Sequence, residues 1–476
     1  MEVAPAEAVT IPEADVLVDT VRKLIAGTDW SLKVGEPWAH VAPAGASLPD
    51  QGWKLHVSAT EESAADVLAA VVPVLMAEGA AFKFAAGLRY VRVLNSAGAD
   101  RASSGKFLTV YPTDDDQARR IAAAAHTATA GLAGPVILSD RPYRPGNLVH
   151  YRYGGFTGRY AIDSDGLVVH LLRTPDGDLV PDERRPGYFA PAWAVDPFQP
   201  PAGPATEEPG ARPAGASPPG GGVLLNDRYL VTGALAHANK GGTYLATDRQ
   251  TGQTVVVKEG RPHVATTAGG DARHAIRHEA RMLELAGPLG RSPRLVDVFD
   301  QGGHTFLVEE HIDAGGLRDL VDPTYEPPGA GLPAPTVRAL ALALADTMAA
   351  FHAGGVVLRD FTPNNLLVTD EGAIVLIDLE LAHPAGEAPA APAGTPGYAA
   401  PGQLTGRPSG FPDDYWSLGA TIAYLATGAD PYLPADVPQA WTDPARLAAW
   451  LADHVASGLL EPAVAGVVAA AMDPDP

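Results

Sequence analysis

Hydrophobic and polar residues follow two different periods in the first part of the chain, and each period predicts one kind of element. Helical spacing predicts three helices, over 13–26, 61–78 and 114–131. Ser58 and Glu61 are spaced as a capping box for the second of them. Alternation of apolar and polar residues predicts four short strands, over 53–57, 81–85, 107–112 and 149–153. Strands and helices mixed in this order indicate an α+β fold.

The pattern differs in the last part of the chain, where strands come first and helices dominate afterwards. The predicted strands are 229–232, 242–247, 254–258 and 305–310. Between the two parts, residues 199–222 are rich in Pro, Gly and Ala without a periodic apolar run, as in a linker. We therefore predict a domain at 1–198, a linker at 199–222 and a second domain at 223–476, with a β-rich lobe before a helical lobe.

Composition narrows the class of protein. The chain has 476 residues, of which 46% are hydrophobic, with a formal net charge of −22 and no cysteine. The negative charge argues against a nucleic-acid or anionic-membrane partner, and the lack of cysteine excludes disulfides and thiolate zinc sites. No basic signal peptide begins the chain, and no uncharged, proline-free apolar run reaches the roughly 20 residues that span a membrane. We expect a cytoplasmic protein.

The second domain contains residue types that phosphoryl transfer requires. A nucleotide-binding loop, a lysine, metal ligands and a base are its working parts. Lys258 lies on an apolar strand, where its charge needs partners; nucleotide phosphates and Glu279 on the following helix would supply them, with Glu284 the less favoured choice. In the loop AHANKGGTY, Gly241 and Gly242 are the candidate nucleotide-binding residues.

The base and the metal ligands are predicted further along the chain. In LRDFTPNNLLV, Asp360 has the position of a base that accepts the hydroxyl proton, and Asn365 follows five residues later as a metal ligand. Asp378 ends the next apolar strand and is the second predicted metal ligand.

These motifs, together with GTPGYAAP and DDYWSLG, resemble the protein kinase catalytic core over essentially all of residues 223–476. The resemblance implies a bilobal Ser/Thr kinase that uses ATP with Mg²⁺, and the sequence does not exclude GTP. Several positions depart from the kinase pattern in the nucleotide loop and in the triplets HRD, DFG and APE: Ala236, Ala238, Leu358, Leu379, Glu380 and Gly402. Because Lys258, Glu279, Asp360, Asn365 and Asp378 are all present, we predict an active kinase.

Cations and phenols gather on the predicted strands of the first domain, against the negative charge of the whole chain. Lys54 and His56 are two residues apart and therefore leave one face of a strand, and His150 and Arg152 repeat that spacing. The other candidates are Lys83, Lys106, Tyr111 and Arg141. Converging cations predict a pocket for a doubly charged anion such as phosphate.

Elimination of phosphate from phosphoserine or phosphothreonine needs a base and an acid, and a lysine and a histidine in such a pocket can supply them. A neutral lysine can remove the proton beside the carbonyl if burial or neighbouring cations lower its pKa. A histidine can protonate the departing phosphate oxygen. Taken singly, each candidate also has an ordinary structural role, so the interpretation depends on the whole group.

The motifs GWKLHVSA, FKFA, GKFLTVYP, LSDRPY and HYRYGGF resemble the phosphothreonine lyases and, more fully, the lyase domain of lanthipeptide synthetases, over about residues 15–195. The resemblance implies that Lys83 is the base and His56 the acid, although Lys54 and Lys83 can exchange roles. It also implies that phosphate is held by Lys54, Lys106, Tyr111, Arg141 and Arg152.

A lyase domain before a kinase domain resembles class III or class IV lanthipeptide synthetases, with the stretch 15–43 closer to class IV. The resemblance implies a precursor peptide with a leader and a core. Serines and threonines of the core would be phosphorylated and then converted to dehydroalanine and dehydrobutyrine. Such enzymes normally continue into a cyclase domain, so we expect a protein that dehydrates without forming rings. The oligomeric state is not predicted.

Two other interpretations stay open at this point. The chain can be a regulatory Ser/Thr kinase with an N-terminal phosphopeptide-binding module, in which the cations hold phosphate without eliminating it. The pairing of His56 with Lys83 argues for elimination, because binding alone needs only cations. The kinase part can also be a pseudokinase scaffold around an active lyase.

Overall fold

A computed structural model describes most of the chain. The described residues are 15–162, 167–183, 187–199, 222–267, 270–321, 331–389, 392–404, 408–431 and 443–473. Residues 200–221, nearly all of the predicted linker, lie outside them. The chain divides into two compact units. The first comprises residues 1–221 with the short segments 237–241 and 261–266, and the second comprises the rest.

The described residues of the first unit form four helices and ten strands. The helices are α1 (Asp15–Leu24), α2 (Ala64–Glu78), α3 (Leu88–Leu94) and α4 (Asp115–Ala128). The strands are β1 (Trp30–Val34), β2 (Trp38–Pro43), β3 (Gln51–Val57), β4 (Ala81–Ala85), β5 (Leu108–Tyr111), β6 (Arg141–Pro142), β7 (Val149–Gly155), β8 (Tyr160–Ile162), β9 (Val168–Arg173) and β10 (Leu179–Pro181).

One seven-stranded antiparallel sheet organises this unit, in the order β1-β2-β4-β5-β3-β7-β6. Its strands alternate, so one face is apolar: Leu55, Phe82 and Val110 are buried there against Val67 of α2 and Ile121 of α4. The intervening residues project to the opposite side, which we call the polar face. This division of faces decides which side chains can meet.

The structure confirms most predicted elements of this unit, including the strands now seen as β3, β4, β5 and β7. The predicted capping box is wrong, because α2 begins at Ala64. The Ser63 hydroxyl accepts the Thr60 amide (2.9 Å) and donates to the Ala133 carbonyl (2.6 Å), while Glu61 pairs with Arg92. A hydrogen-bonded turn therefore replaces the first predicted helical turn. Strands β1 and β2 were not predicted.

The second unit has eleven strands and six α-helices among its described residues. The strands are β11 (Leu224–Leu225), β12 (Tyr229–His237), β13 (Gly242–Asp248), β14 (Thr254–Gly260), β15 (Leu295–Gln301), β16 (His304–Glu310), β17 (Gly315–Gly316), β18 (Val356–Val357), β19 (Leu366–Val368), β20 (Ile374–Leu376) and β21 (His383–Pro384). The helices are α5 (Ala272–Ala286), α6 (Ala334–Ala353), α7 (Pro401–Leu404), α8 (Phe411–Thr427), α9 (Pro444–Ala456) and α10 (Pro462–Ala471).

The β-rich part precedes the helical part, as predicted. Its sheet has the order β11-β12-β13-β14-β16-β15, with Val257 and Val308 buried on one face and α5 packed against β14 and β16. In the helical part, α6 and α10 pack against α8. By length and composition α6 is the one described helix that could cross a membrane, which is weak evidence by itself. Leu344, Met348 and Phe351 of α6 are buried in the helical core.

Candidate active sites

One row of paired residues on the polar face of the first sheet connects Lys83 with His56. Lys83 pairs with Thr109 of β5, and Thr109 pairs with His56 of β3. Directly paired residues of antiparallel strands project to the same face. Because neighbouring strands are about 4.8 Å apart, the two Cα atoms are about 10 Å apart. Two long side chains can approach one substrate across that gap.

Asp140 joins two of the predicted site residues. Its Oδ2 is 2.5 Å from His56 Nδ1 and its Oδ1 is 2.9 Å from Lys106 Nζ, and all three residues are buried. A carboxylate between an imidazole and an ammonium group orients both of them. The sequence analysis did not select Asp140, although it lies in the quoted motif LSDRPY.

The imidazole of His56 is neutral at pH 7 in the absence of a bound anion. Burial, together with the charges of Lys106 and Lys54, lowers the pKa of His56 to about 3, although Asp140 opposes the shift. Burial would raise the pKa of the Asp140 carboxyl, but His56 and Lys106 outweigh it and hold that pKa well below its usual range. The pocket therefore favours negative charge.

Lys54 and Arg152 face each other two residues along from His56, as paired residues of β3 and β7. Arg152 is buried; its guanidinium pairs with Asp182 and donates from Nε to the Tyr153 carbonyl (3.2 Å). Tyr111 packs edge-on against Phe156, and burial raises the pKa of its phenol to about 12. At neutral pH that phenol is a hydrogen-bond donor.

The surroundings of Lys83 add two residues that the sequence analysis missed. Lys83 Nζ lies 4.3 Å from the centroid of the Trp38 ring, and His40 of β2 is the direct partner of Lys83 in the sheet. Burial and the charges of Lys83 and Lys33 lower the pKa of His40. Recognising WAHVAP as a strand would have identified both residues.

Arg141 is not brought to this group. It pairs with Tyr151 of β7, a residue of the apolar face. Its guanidinium donates to Asp196 Oδ2 (3.0 Å) and lies 4.2 Å from the centroid of the Tyr188 ring. Register explains the difference, because a residue opposite Tyr151 projects away from the face that carries His150 and Arg152.

In the second unit, Lys258 is the centre of a buried ionic cluster. Its Nζ lies 2.6 Å from Glu279 Oε1, 2.7 Å from the Ile377 carbonyl oxygen and 3.1 Å from Glu309 Oε1. Burial alone would lower the pKa of Lys258, but the charges of Glu279, Glu309 and Asp378 outweigh it and raise the pKa. Lys258 therefore stays protonated, and the predicted contact with Glu279 is present.

The predicted base and metal ligands are assembled by neighbouring segments. Asn365 Nδ2 donates to Asp360 Oδ2 (2.8 Å), and the Ile377 amide donates to the Asn365 carbonyl (2.9 Å), which brings Asp378 close to Asn365. Thr395 donates to Asp360 Oδ1 (2.7 Å), a contact that the sequence analysis missed although it quoted GTPGYAAP. Burial raises the pKa of Asp360. This favours proton acceptance.

Leu358 and Leu379, which replace residues of the kinase triplets HRD and DFG, have structural roles. Leu358 is buried in the helical core, and its amide donates to Asp414 Oδ2 (2.9 Å). Asp414 also accepts the Arg359 amide (2.7 Å) and contacts His352 Nε2 (2.8 Å). Leu379 is buried in the same core. The loop that carries Asp360 is therefore held by a buried aspartate and by packing.

The two predicted nucleotide-binding glycines form hydrogen bonds with other residues of the chain. The Gly242 amide donates to Glu259 Oε2 (3.0 Å), and the Gly241 carbonyl accepts the Ala238 amide (2.9 Å). A Cβ at residue 242 would lie 2.2 Å from the Tyr244 hydroxyl, so a larger residue here would displace the Tyr244 side chain. In this conformation a protein carboxylate, Glu259, accepts the Gly242 amide.

Comparison with known proteins follows the same division of the chain. Residues 19–209 match the family described as RamC, N-terminal domain, and residues 231–446 match the protein kinase domain family. The probable SapB synthase of Streptomyces coelicolor is 38% identical over 380 residues, which cover 78% of this chain and 40% of that protein.

Other relatives match the kinase part. The serine/threonine-protein kinase PknL of Mycobacterium tuberculosis is 30% identical over 48% of this chain and 59% of its own length. Serine/threonine-protein kinase C of Synechocystis is 30% identical over 45% of this chain and 42% of its own length. The chain thus spans 40–59% of the length of these relatives. It carries a RamC-type N-terminal domain followed by a protein kinase domain, and with its similarity to a SapB synthase it fits the lanthipeptide synthetases that have lyase and kinase domains.

Proposed function

We propose that this chain dehydrates serine and threonine residues of a lanthipeptide precursor peptide by phosphorylation followed by β-elimination. One observation carries the proposal. The same chain contains two groups of residues. One is the predicted kinase residues Lys258, Glu279, Asp360, Asn365 and Asp378, and the other is the polar face of the first sheet, which carries Lys83, His56 and further cations. Cations alone would suffice for binding phosphate, whereas elimination needs a base and an acid, the roles that Lys83 and His56 would take.

In the first step, the substrate hydroxyl oxygen attacks the γ-phosphorus of ATP, the proton passes to Asp360 and ADP leaves. Asp360 suits this role because Asn365 and Thr395 hold both of its oxygens. Lys258 provides positive charge for the nucleotide phosphates. GTP is the alternative nucleotide, and the test below separates the two.

Asp378 and Asn365 fit a magnesium ion. Asn365 donates from Nδ2 to Asp360, which leaves its amide oxygen as the acceptor end. A carboxylate with an amide oxygen is a donor set that Mg²⁺ accepts beside nucleotide phosphates. When bound, the ion supplies charge neutralisation for those phosphates.

In the second step, Lys83 removes the α-proton of the phosphorylated residue, the Cβ–O bond breaks, and His56 protonates the departing phosphate. Lys54, Lys106, Tyr111 and Arg152 would hold the phosphate. The dianion would offset the lysine charges that lower the pKa of His56, so that substrate binding itself favours the imidazolium. We do not assign Arg141 to this step, because it pairs with Asp196.

The substrate would be a leader-bearing precursor peptide, and the reaction would take place in the cytoplasm. Mass spectrometry of a Ser/Thr-bearing precursor incubated with the chain and magnesium ATP, or magnesium GTP, tests the proposal. Wild type should remove water, Lys83→Ala should accumulate phosphopeptide and Asp360→Ala should leave the peptide unchanged.

Other results would replace the proposal. Stable phosphopeptide from wild type would indicate a kinase with a phosphopeptide-binding module; similarity to the PknL kinase supports the kinase part of that function. Elimination from a synthetic phosphopeptide without any phosphorylation would indicate a pseudokinase beside an active lyase.

A further inference from the structure

Glu309 is a buried carboxylate that the phosphoryl-transfer step above does not use. It lies next to the end of β16 and pairs with Val256 of β14, whereas Lys258 pairs with Leu307. Val256 and Lys258 are two residues apart on β14 and project to the same face. Glu309, the direct partner of Val256, therefore shares that face with Lys258. Only 2% of Glu309 is exposed, and its Oε1 lies 3.1 Å from Lys258 Nζ.

Lys258 is the only side chain among the described residues within ion-pairing distance of Glu309. The second oxygen, Oε2, is buried without a hydrogen-bond partner. A buried carboxylate that loses its last partner is strongly destabilising. Glu309 therefore depends on its contact with Lys258.

The ammonium group of Lys258 has three N–H donors. Three acceptors already lie within reach of them: Glu279 at 2.6 Å, the Ile377 carbonyl at 2.7 Å and Glu309 at 3.1 Å. A nucleotide phosphate can gain a hydrogen bond from this group only by displacing one of the three. Glu309 has the longest contact of the three, so it is the acceptor that a phosphate oxygen displaces, and the loss of its last partner opposes nucleotide binding.

We propose that Glu309 is a positioning residue of the kinase site that holds Lys258 in competition with the nucleotide phosphates and thereby weakens nucleotide binding. The proposal rests on the kinase part of the proposed function and not on the lyase step. In the nucleotide-free protein, Glu309 completes the coordination of Lys258. In the complex, a phosphate oxygen takes its place and Glu309 stays buried with its charge poorly compensated.

Glu309→Gln tests the competition, because it keeps the shape and an acceptor oxygen but removes the charge. Titration calorimetry of the full chain with magnesium ATP should show a dissociation constant about tenfold lower than wild type, which corresponds to about 1.4 kcal/mol. Adenosine, which lacks phosphates, should bind within about twofold of wild type. Glu310→Gln is the matched control, since the neighbouring Glu310 pairs with Arg294 (3.0 Å) and should change neither constant.

Unchanged or weaker ATP binding by Glu309→Gln would overturn the proposal. Equal tightening for ATP and adenosine would also overturn it, because the residue would then act on the base or on the fold. Glu309→Leu, checked for folding by its thermal unfolding transition, should show the same preference for the phosphate-bearing ligand. Neither measurement uses a precursor peptide, so a failure here is distinguishable from a failure of dehydration.

Discussion

Asp140 connects two residues of the proposed lyase site. It contacts His56 and Lys106 with its two oxygens and is buried. Asp140→Asn should lower the rate of elimination from a phosphopeptide by about 100-fold, because correctly placed acid–base groups contribute about 10²–10⁴-fold. Phosphate release from a synthetic phosphoserine peptide measures the rate.

Asp196→Asn is the control for Asp140→Asn, since Asp196 pairs with Arg141 and not with His56. It should retain the wild-type rate within about threefold. Equal loss in both variants would indicate a general effect on folding and would remove Asp140 from the site.

The sequence analysis predicted that both Arg141 and Arg152 bind phosphate, and the structure places them differently. Arg152 lies beside Lys54 on the polar face, whereas Arg141 contacts Asp196 and Tyr188. Lys54→Ala should raise the KM for a phosphopeptide about tenfold through the loss of a charged contact worth about 1.5 kcal/mol. Arg141→Ala should change it by less than about threefold. Steady-state kinetics with one phosphopeptide compare the two, and an equal rise for both would return Arg141 to the phosphate site.

The buried imidazole of His56 makes stability dependent on pH. Its pKa is lowered from 6.5 to about 3, so between these values the unfolded chain binds more protons than the folded chain. The contribution of His56 to the free energy of unfolding is therefore fully present above pH 6.5. It is lost as the pH falls below that value, by up to about 1.4 kcal/mol per pH unit. Buried His150, whose pKa is also lowered, acts in the same direction.

His56→Asn should reduce this dependence, since the variant has no imidazole to protonate. Thermal unfolding at pH 7.5 and pH 5.5 measures it: the loss of Tm on acidification should be smaller in His56→Asn than in wild type. His170→Asn on exposed β9 is the control and should behave as wild type. An unchanged loss in His56→Asn would mean that folding does not lower the pKa of this imidazole.

At the scale of the element, a hydrogen-bonded turn stands before α2 where the sequence predicted a capping box. Ser63 is buried, and its hydroxyl bonds both the Thr60 amide and the Ala133 carbonyl. Ser63→Ala should destabilise the first unit by about 1–3 kcal/mol, because the buried Thr60 amide and the half-buried Ala133 carbonyl lose a partner.

Glu61→Ala is the informative comparison, since the capping-box prediction would make Glu61 important for the helix. The exposed Arg92 is its partner in the structure, and such pairs contribute about 0–1 kcal/mol. Calorimetric unfolding of the full chain compares the two variants through the transition of the first unit. A larger effect of Glu61→Ala would restore the predicted cap.

The strands show why some elements were predictable and others were not. β3, β4, β5 and β7 place every second residue on the apolar core, which gives each of them a recognisable pattern. β1 has no buried residue, and its pattern does not distinguish it from a loop. An edge strand of this kind is specified by its pairing with β2, a contact that the local sequence does not contain.

At the scale of the whole molecule, two sites in one chain should act in succession on one tethered substrate. We expect a mixture of Asp360→Ala and Lys83→Ala proteins to regain dehydration, because each variant retains one of the two sites. Tenfold dilution should slow the mixture more than it slows wild type, since the phosphopeptide must pass between molecules instead of staying at high effective concentration.

Mass spectrometry over time measures dehydration in the mixture and in wild type. If dilution slowed dehydration equally in wild type and in the mixture, the phosphorylated intermediate would be released after each step. Failure of the mixture to dehydrate would mean that both sites must belong to one molecule.

The sequence alone determined the order of the two domains, the residue types of each candidate site and the strand faces of Lys54, His56, His150 and Arg152, because alternation within a strand is a local property. Tertiary structure decided what meets across strands and loops. Asp140 contacts His56 from 84 residues away, Arg141 takes the face of Tyr151, and Glu309 reaches Lys258 through the pairing of β14 with β16. Such contacts follow from register and strand order, which long-range pairing sets and no local pattern encodes.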